Sequence, residues 1–500
     1  MNFTPLLRPY FDRIDRGMVA KAVNLEESQR ATLSYLLGEG VATRWGRMHG
    51  FERGLRYESW AERCPLTGYE DIRGLVMEMM AGAESVLWPG VVKRYAQSSG
   101  TSGGKSKYIP ITARGLQHSH YKGSTNVVAR YLSLYGDSRL FSGKALILGG
   151  SFANELGGEY PGVKVGDLSA HLIECINPLA GLLRVPHKRV ALMSDWHDKL
   201  PRLVAEVSRR DVTNLSGVPS WMMTVLKEVL TLTGASTIRE VWPRLEVFFH
   251  GGISFEPYRE EYRKLMGADI RYLETYNASE GFFAVQYDTT SRAMLLMMDV
   301  DTFYEFMPLG GDTPLPAWQV EPGRVYELII TSSNGLWRYR PGDTVRIESV
   351  NPLTLTIAGR TMHYINAFGE ELMVYNADAA LADTCRATGA SVDNYTAAPV
   401  YATGGSRGRH QWLVEWGVEP ADKAAFAALL DDNLRAQNSD YDAKRSGDIF
   451  LSPLELTTVE PGTFDRWLLT TGKLGGQRKI PRLCPDRRYV DDILKLMDNK

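Results

Sequence analysis

Ser98-Ser99-Gly100-Thr101-Ser102-Gly103-Gly104-Lys105-Ser106-Lys107, followed by Tyr108-Ile109-Pro110-Ile111-Thr112, is the stretch from which the fold is read. Its hydroxyls, glycines and lysines let backbone N–H groups, side-chain O–H groups and ammonium charge converge on one anion, as the oxygens of a polyphosphate require. The P-loop pattern GxxxxGK[ST] does not fit: the position six before Lys105 is Ser99, and Gly100 leaves the loop one residue short. A P-loop also runs straight into a helix whose N-terminus holds the phosphates. Here the loop runs into β-branched and aromatic residues with Pro110 among them, an extended segment. The loop therefore joins two extended segments as a hairpin. A solvated turn would account for Gly103-Gly104, but not for the whole run.

Working outward, 500 residues suggest two or three domains around large cores. The hydrophobic fraction of 44% and charged fraction of 23% are those of an ordinary globular protein. A formal charge of -2 gives no electrostatic reason to expect nucleic acid or an anionic membrane as partner. Cys64, Cys175, Cys385 and Cys484 are too scattered for a metal knuckle or a CxxC pair, which fits a reducing compartment. No basic-then-apolar leader opens the chain, and no run approaches the roughly 20 apolar residues of a membrane span. The expectation is a cytoplasmic monomer.

The run SSGTSGGKSKYIPIT resembles the phosphate-binding motif of the adenylate-forming enzymes, and within them that of the acyl-acid amido synthetases, the auxin-conjugating family. Thr43-Arg44-Trp45-Gly46 and Pro65-Leu66-Thr67-Gly68-Tyr69-Glu70-Asp71 resemble the same family, as do Gly166-Asp167-Leu168-Ser169 and Gly217-Val218-Pro219-Ser220. The resemblance spans Trp45 to Arg482 with its motifs in order.

Asn24 and Glu27 read as a capping pair for a helix running to Gly38, and a second helix is expected from Ala113 to Leu134. That second helix carries His118, His120 and Lys122, and its family equivalent lines the acyl-acid pocket; an ordinary polar helix face is the plainer reading. Short apolar runs at Ala145–Leu148, Val190–Met193, Leu245–Phe249 and Val325–Ile330 read as strands, and Trp221–Leu232 as a helix. Such alternation predicts α/β layers with mainly buried strands.

A second chemical stretch is His250-Gly251-Gly252-Ile253 with Tyr276-Asn277-Ala278-Ser279-Glu280-Gly281. Glycines such as Gly252 after a buried strand let a flat ring approach the backbone, and Tyr276 can stack on it, which suits adenine. Ser279 offers a hydroxyl to an α-phosphate and Glu280 a hard oxygen to magnesium. The resemblance implies these same roles, with Asn277 in place of the superfamily's common glycine. The third stretch is Trp337-Arg338-Tyr339-Arg340-Pro341-Gly342-Asp343, where an ionised Asp343 presented by a Pro-Gly turn suits the two hydroxyls of a ribose.

Ile357-Ala358-Gly359-Arg360 resembles the superfamily hinge, dividing a large N-terminal adenylation domain, residues 1–359, from a small mobile α+β domain, residues 360–500. Ala-rich helices at Glu370–Ala387 and Ala421–Arg435 flank a strand at Trp412–Trp416 in the latter. Near the end, Gln477-Arg478-Lys479-Ile480-Pro481-Arg482 resembles the segment carrying the family's catalytic lysine, which assigns Lys479; Lys473 is the second candidate.

The resemblance implies an α/β adenylate-forming fold and a ligase using ATP and magnesium. A carboxylic acid would be activated as acyl-AMP and passed to an amine, most simply an amino acid. Ser98, Ser99, Gly100, Thr101, Ser102 and Lys105 would hold the β- and γ-phosphates, with Glu280 on magnesium and Lys479 on the transition state. An acyl-coenzyme A ligase shares the first step, although its usual C-terminal Ser-Gly-Lys is absent. A phosphotransferase or a non-catalytic nucleotide-binding protein are the further alternatives.

Overall fold

Strands in both parts of the chain carry near-continuous buried runs, as in Val247–Gly251 and Arg409–Val418, so each sheet is covered on both faces. The computed structural model describes the chain except residues 1, 99–106, 153–155, 157, 253–254, 268, 361–363, 366, 368–369, 371, 401–407, 439–440, 443–444, 446–450, 471–479, 485 and 499–500. It divides into two compact units, one of Met1–Gly252 with Gly267–Thr356, the other of Ile253–Met266 with Ile357–Lys500.

The first unit is organised on a mixed sheet. Strands Lys144–Ile147, Arg184–Val185, Val212–Gly217, Val247–Gly251 and Arg271–Ala278 form its parallel half. Buried positions such as Leu146, Leu215, Val247 and Phe248 show why: both faces are covered, so the strands read as apolar throughout. At Arg271–Ala278 the sheet changes sense, because this strand turns back through Ser279-Glu280 into the antiparallel strand Gly281–Gln286. Beyond it lie Met294–Leu296, Leu353–Arg360, Asp343–Val350, Val325–Ser332, Thr302–Pro308 and Leu315–Pro316, with Leu336–Tyr339 paired to Val325–Ser332.

A separate three-stranded sheet places Arg94–Ser98 between Lys107–Pro110, antiparallel, and Lys164–Gly166, parallel. Ser98 pairs with Lys107 in register, so the two extended segments expected around the glycine-rich run do form a hairpin. Ser99, Gly100, Thr101, Ser102 and Lys105 lie outside the described residues.

Local expectations hold in most places and fail in two instructive ones. The helix expected after Asn24 spans Leu25–Gly40, but the Asn24 side chain makes no capping bond; a preceding helix, Thr4–Val23, runs up to it. Val190–Met193, read as a strand, falls in and just after the helix Lys188–Ala191, whose first turn is closed by the His187 ring accepting from Arg189 N–H. A four-residue apolar run does not distinguish the two periods.

In the second unit, strands Ser391–Val400, Arg409–Val418 and Glu455–Val459 form one sheet. Trp412, Val414 and Trp416 face one core with helices Val374–Thr388 and Lys423–Gln437, while Leu413 faces another with Thr463–Thr470 and Arg488–Asp498. Period-two alternation of this kind gives each face its own cover. The segment Ile253–Met266 belongs here through Tyr258, whose hydroxyl accepts from Arg482 at 2.7 Å. Among the described residues no helix is long and apolar enough to cross a membrane.

Candidate active site

The sheet changes sense at Arg271–Ala278, and in open α/β sheets ligands bind at the carboxyl ends of the parallel strands. Two of the sequence motifs meet there. Tyr276 sits near the end of Arg271–Ala278 and Asp343 begins the strand Asp343–Val350. The Tyr276 hydroxyl donates to Asp343 Oδ2 at 2.6 Å, joining side chains 67 positions apart. Both are nine-tenths buried or more, at 4% and 5% exposure, so the bond is shielded from water. The Tyr276 ring also packs edge-on to Phe283, with centroids 5.0 Å apart.

Ser279 and Glu280 occupy the turn after Tyr276 and are both buried. The backbone beside them is fixed by a helical residue and by a strand turn: Phe282 N–H donates to Ser119 Oγ at 3.2 Å, and Asn334 Nδ2 donates to the Glu280 carbonyl at 3.2 Å. On the neighbouring strand, a Cβ on Gly251 would stand 2.4 Å from the Thr275 carbonyl oxygen, so only glycine lets the two strands lie this close. Gly252 follows with φ +85°, a left-handed turn that ends the strand. Gly252, Tyr276, Ser279 and Glu280 thus fall at the ends of adjacent strands, and the Tyr276 bond brings in Asp343 from a strand separated from Arg271–Ala278 by three others in the same sheet. Ser98 ends its strand in the hairpin, and Lys105 and Lys479 lie outside the described residues, as does Lys473.

The arginines of Trp337-Arg338-Tyr339-Arg340 turn out to be framework. Arg338 holds a left-handed backbone, φ +44°, and its guanidinium is buried against Glu305 at 2.8 and 3.1 Å. It also donates to the Ala61 and Cys64 carbonyls, while Tyr57 donates to Glu305 Oε1 at 3.0 Å. Burial pushes the Glu305 carboxyl up, and the Arg338 charge opposes that shift. Arg340 is likewise taken up by Glu327, at 2.6 and 3.0 Å. Thr67 zips alongside: its N–H donates to the Arg338 carbonyl and its carbonyl accepts from Arg340 N–H. Tyr69, two residues on, accepts from Tyr108 N–H at 2.8 Å and so braces the hairpin. The N-terminal motif Pro65–Asp71 therefore serves by holding the other two.

The helix expected at Ala113–Leu134 is present as Ala113–Gly115 and Lys122–Leu134 with a π-turn, Leu116–Tyr121, between them. Its three polar candidates separate. His118 is exposed, and Lys122 pairs with Asp299 at 3.1 Å. His120 is fully buried, with neither ring nitrogen bonded among the described residues, and burial followed by the neighbouring His171 drives it down to about 4. It is therefore a neutral imidazole at pH 7. Ser119 and Asn334, both structurally prominent, carry no sequence signal beyond an ordinary helix position and a turn.

Among known proteins, models of the GH3 family match three segments: its N-terminal domain at residues 16–200 and 178–270, its central domain at 295–360, and its C-terminal domain at 375–488. The indole-3-acetic acid-amido synthetase GH3.8 of Oryza sativa subsp. indica is 23% identical over 99% of this chain and 95% of its own length. The probable indole-3-acetic acid-amido synthetase GH3.1 of Arabidopsis thaliana is 26% identical over 53% of this chain and 46% of its own. In fold, the chain is similar to the AtGH3.15 acyl acid amido synthetase in complex with 2,4-DB, with TM-score 0.79, 18% identity, and coverage of 97% of this chain and 96% of that one. It is also similar to 2-hydroxyisobutyryl-CoA ligase in its postadenylation state, with TM-score 0.58 and 13% identity over 94% and 92%. The expected α/β fold of the adenylate-forming enzymes is borne out. Matched by these models over residues 16–270, 295–360 and 375–488, the greater part of its length, the chain belongs to the GH3 family.

Proposed function

We propose that this protein is an acyl-acid amido synthetase that activates a carboxylic acid with ATP and passes the acyl group to an amine, most simply an amino acid. The observation that carries the reading is the Tyr276–Asp343 bond at 2.6 Å beside the buried Ser279-Glu280 turn. It sets a tyrosine ring and a carboxylate together beside a buried serine hydroxyl, an arrangement that supports a nucleotide site.

The roles follow from chemistry. A carboxylate is a poor acyl donor because oxide would have to leave. Its oxygen attacks the α-phosphorus, the bond from that phosphorus to the bridging oxygen breaks, and pyrophosphate departs with the electron pair. The amine then attacks the acyl carbon and AMP leaves. Tyr276 stacks on adenine and Asp343 accepts from the ribose hydroxyls, with Gly252 giving the ring room. Ser279 donates to the α-phosphate, and the run Ser98, Ser99, Gly100, Thr101, Ser102 and Lys105 cradles the β- and γ-phosphates. Among the described residues no cluster of three or more His, Cys, Asp or Glu side chains could hold a metal ion. One buried carboxylate, Glu280, together with the nucleotide's own phosphates fits magnesium, which keeps few protein ligands. When bound, that ion supplies charge neutralisation at the phosphates. Lys479 stabilises charge at the pentacoordinate phosphorus. Rotation of residues 360–500 near Gly359-Arg360 then withdraws it and admits the amine.

ATP–pyrophosphate exchange with magnesium, over a panel of indole, aryl and aliphatic acids without amine, tests the reading. Exchange with at least one acid, and amide formation once amino acids are added, is the expected result. Exchange followed by thioester formation with coenzyme A alone would move the protein to the acyl-coenzyme A ligases. No exchange with any acid would overturn the proposal.

A further inference from the structure

Asn334 lies in the turn between Val325–Ser332 and Leu336–Tyr339, and none of its surface reaches solvent. Both ends of its carboxamide are used. Oδ1 accepts from Thr112 N–H at 3.2 Å, and Nδ2 donates to the Glu280 carbonyl at 3.2 Å. The donor and acceptor partners are backbone groups of opposite kind, so only an amide in this orientation satisfies them together.

Those two partners belong to different motifs. Thr112 is where the hairpin Arg94–Ser98/Lys107–Pro110 exits into the helix that follows. Its hydroxyl donates to the Ser333 carbonyl at 2.7 Å and accepts from Gly115 N–H at 2.8 Å, which starts that helix. Glu280 is the carboxylate of the Tyr276–Gly281 turn. The turn bearing Asn334 leads through Leu336–Tyr339 to Asp343. One side chain therefore joins the exit of the glycine-rich hairpin, the turn of the acidic residue and the strand leading to the ribose-side carboxylate. The space for it is made by Gly115, on which a Cβ would stand 1.9 Å from Asn334 Oδ1.

We propose that Asn334 is a positioning residue of the nucleotide site. It holds the Glu280 backbone and the hairpin exit at one spacing, so that the Glu280 carboxylate meets the cation carried by the phosphates. The inference rests on the proposed function. Asn334 touches no substrate; it acts through Glu280 and Thr112. Groups that orient a metal ligand from behind commonly govern metal affinity about 10- to 100-fold.

Two variants test it. Asn334→Asp keeps an oxygen for Thr112 N–H but presents no N–H to the Glu280 carbonyl. Gly115→Ala leaves Asn334 intact and displaces it. ATP binding is measured calorimetrically at stepped Mg2+ concentrations, alongside pyrophosphate exchange with the best acid. Both variants should raise the Mg2+ concentration for half-maximal ATP binding roughly ten-fold or more, with the KM for the acid changed by less than about two-fold. A merely structural role would lower thermal stability and affect acid and Mg2+ dependence alike. Wild-type Mg2+ dependence in both variants, with wild-type protein binding MgATP normally, would overturn the role of Asn334 alone. Failure of the wild-type protein to bind MgATP would overturn the nucleotide reading and this inference with it.

Discussion

Replacing Tyr276 by Phe removes one oxygen and keeps the ring against Phe283, so its effect isolates the bond to Asp343. That bond is 2.6 Å long and its two side chains are only 4% and 5% exposed, so water cannot replace the lost donor. Hydrogen bonds to ionised groups are worth about 1.5–3 kcal/mol net. If the hydroxyl fixes the Asp343 carboxylate for a ribose, Tyr276→Phe should weaken ATP binding roughly ten- to hundred-fold, since about 1.4 kcal/mol is a factor of ten. The assay is a double-mutant cycle on the ATP dissociation constant with Asp343→Ala. Alanine is preferred to asparagine because the latter retains an acceptor oxygen. In the alanine background the tyrosine substitution should cost almost nothing, giving a coupling of about 1.5–3 kcal/mol. A coupling below about 0.5 kcal/mol, within ordinary additivity error, would refute the claim that Tyr276 acts through Asp343.

Three further outcomes are expected. Lys479→Ala should depress pyrophosphate exchange far more than ATP affinity, because its contact forms in the transition state; equal losses would remove it from that role. Glu305→Gln breaks a pair whose arginine is otherwise stranded in the core, and should destabilise by about 3–5 kcal/mol in urea unfolding followed by tryptophan emission, against less than about 1 kcal/mol for an exposed pair. His120 and His171 are both held down to about 4 from an ordinary 6.5, so the folded protein binds fewer protons than the unfolded chain. The stability this represents is present above pH 6.5 and is lost as pH falls toward 4, by up to about 3 kcal/mol for His120. His120→Leu should flatten the decline of melting temperature over that interval, and a variant slope equal to wild type would show that this imidazole is not held neutral.

Legibility in the sequence followed the range of the interaction. The hairpin around Ser98 and Lys107 was readable because a loop's glycines and the β-branched residues after it act on their own neighbours. Val190–Met193 was misread for the same reason inverted: four apolar residues carry no period, and the His187 cap decides for helix. The Tyr276 and Asp343 motifs were readable as separate fragments, but their bond was not, since it spans 67 positions. Nothing local marks Arg338 as framework; its partner Glu305 lies 33 positions away.

What the amino-acid order determined by itself was therefore the inventory: a glycine-, serine- and lysine-rich run outside the P-loop pattern, an aromatic-serine-glutamate turn, a Pro-Gly-Asp turn, and their order along an α/β chain. Backbone conformation and local chemistry suffice for these. Tertiary structure alone decided which groups meet. It set Tyr276 on Asp343 and made Arg338 an internal ion pair with Glu305. It left His120 a buried, neutral ring. It also placed Asn334, a residue with the local appearance of any turn, between Thr112 and Glu280. The physical reason is that buried hydrogen bonds and charges are satisfied by whatever the fold brings within about 3 Å, and that proximity is a property of packing rather than of sequence distance.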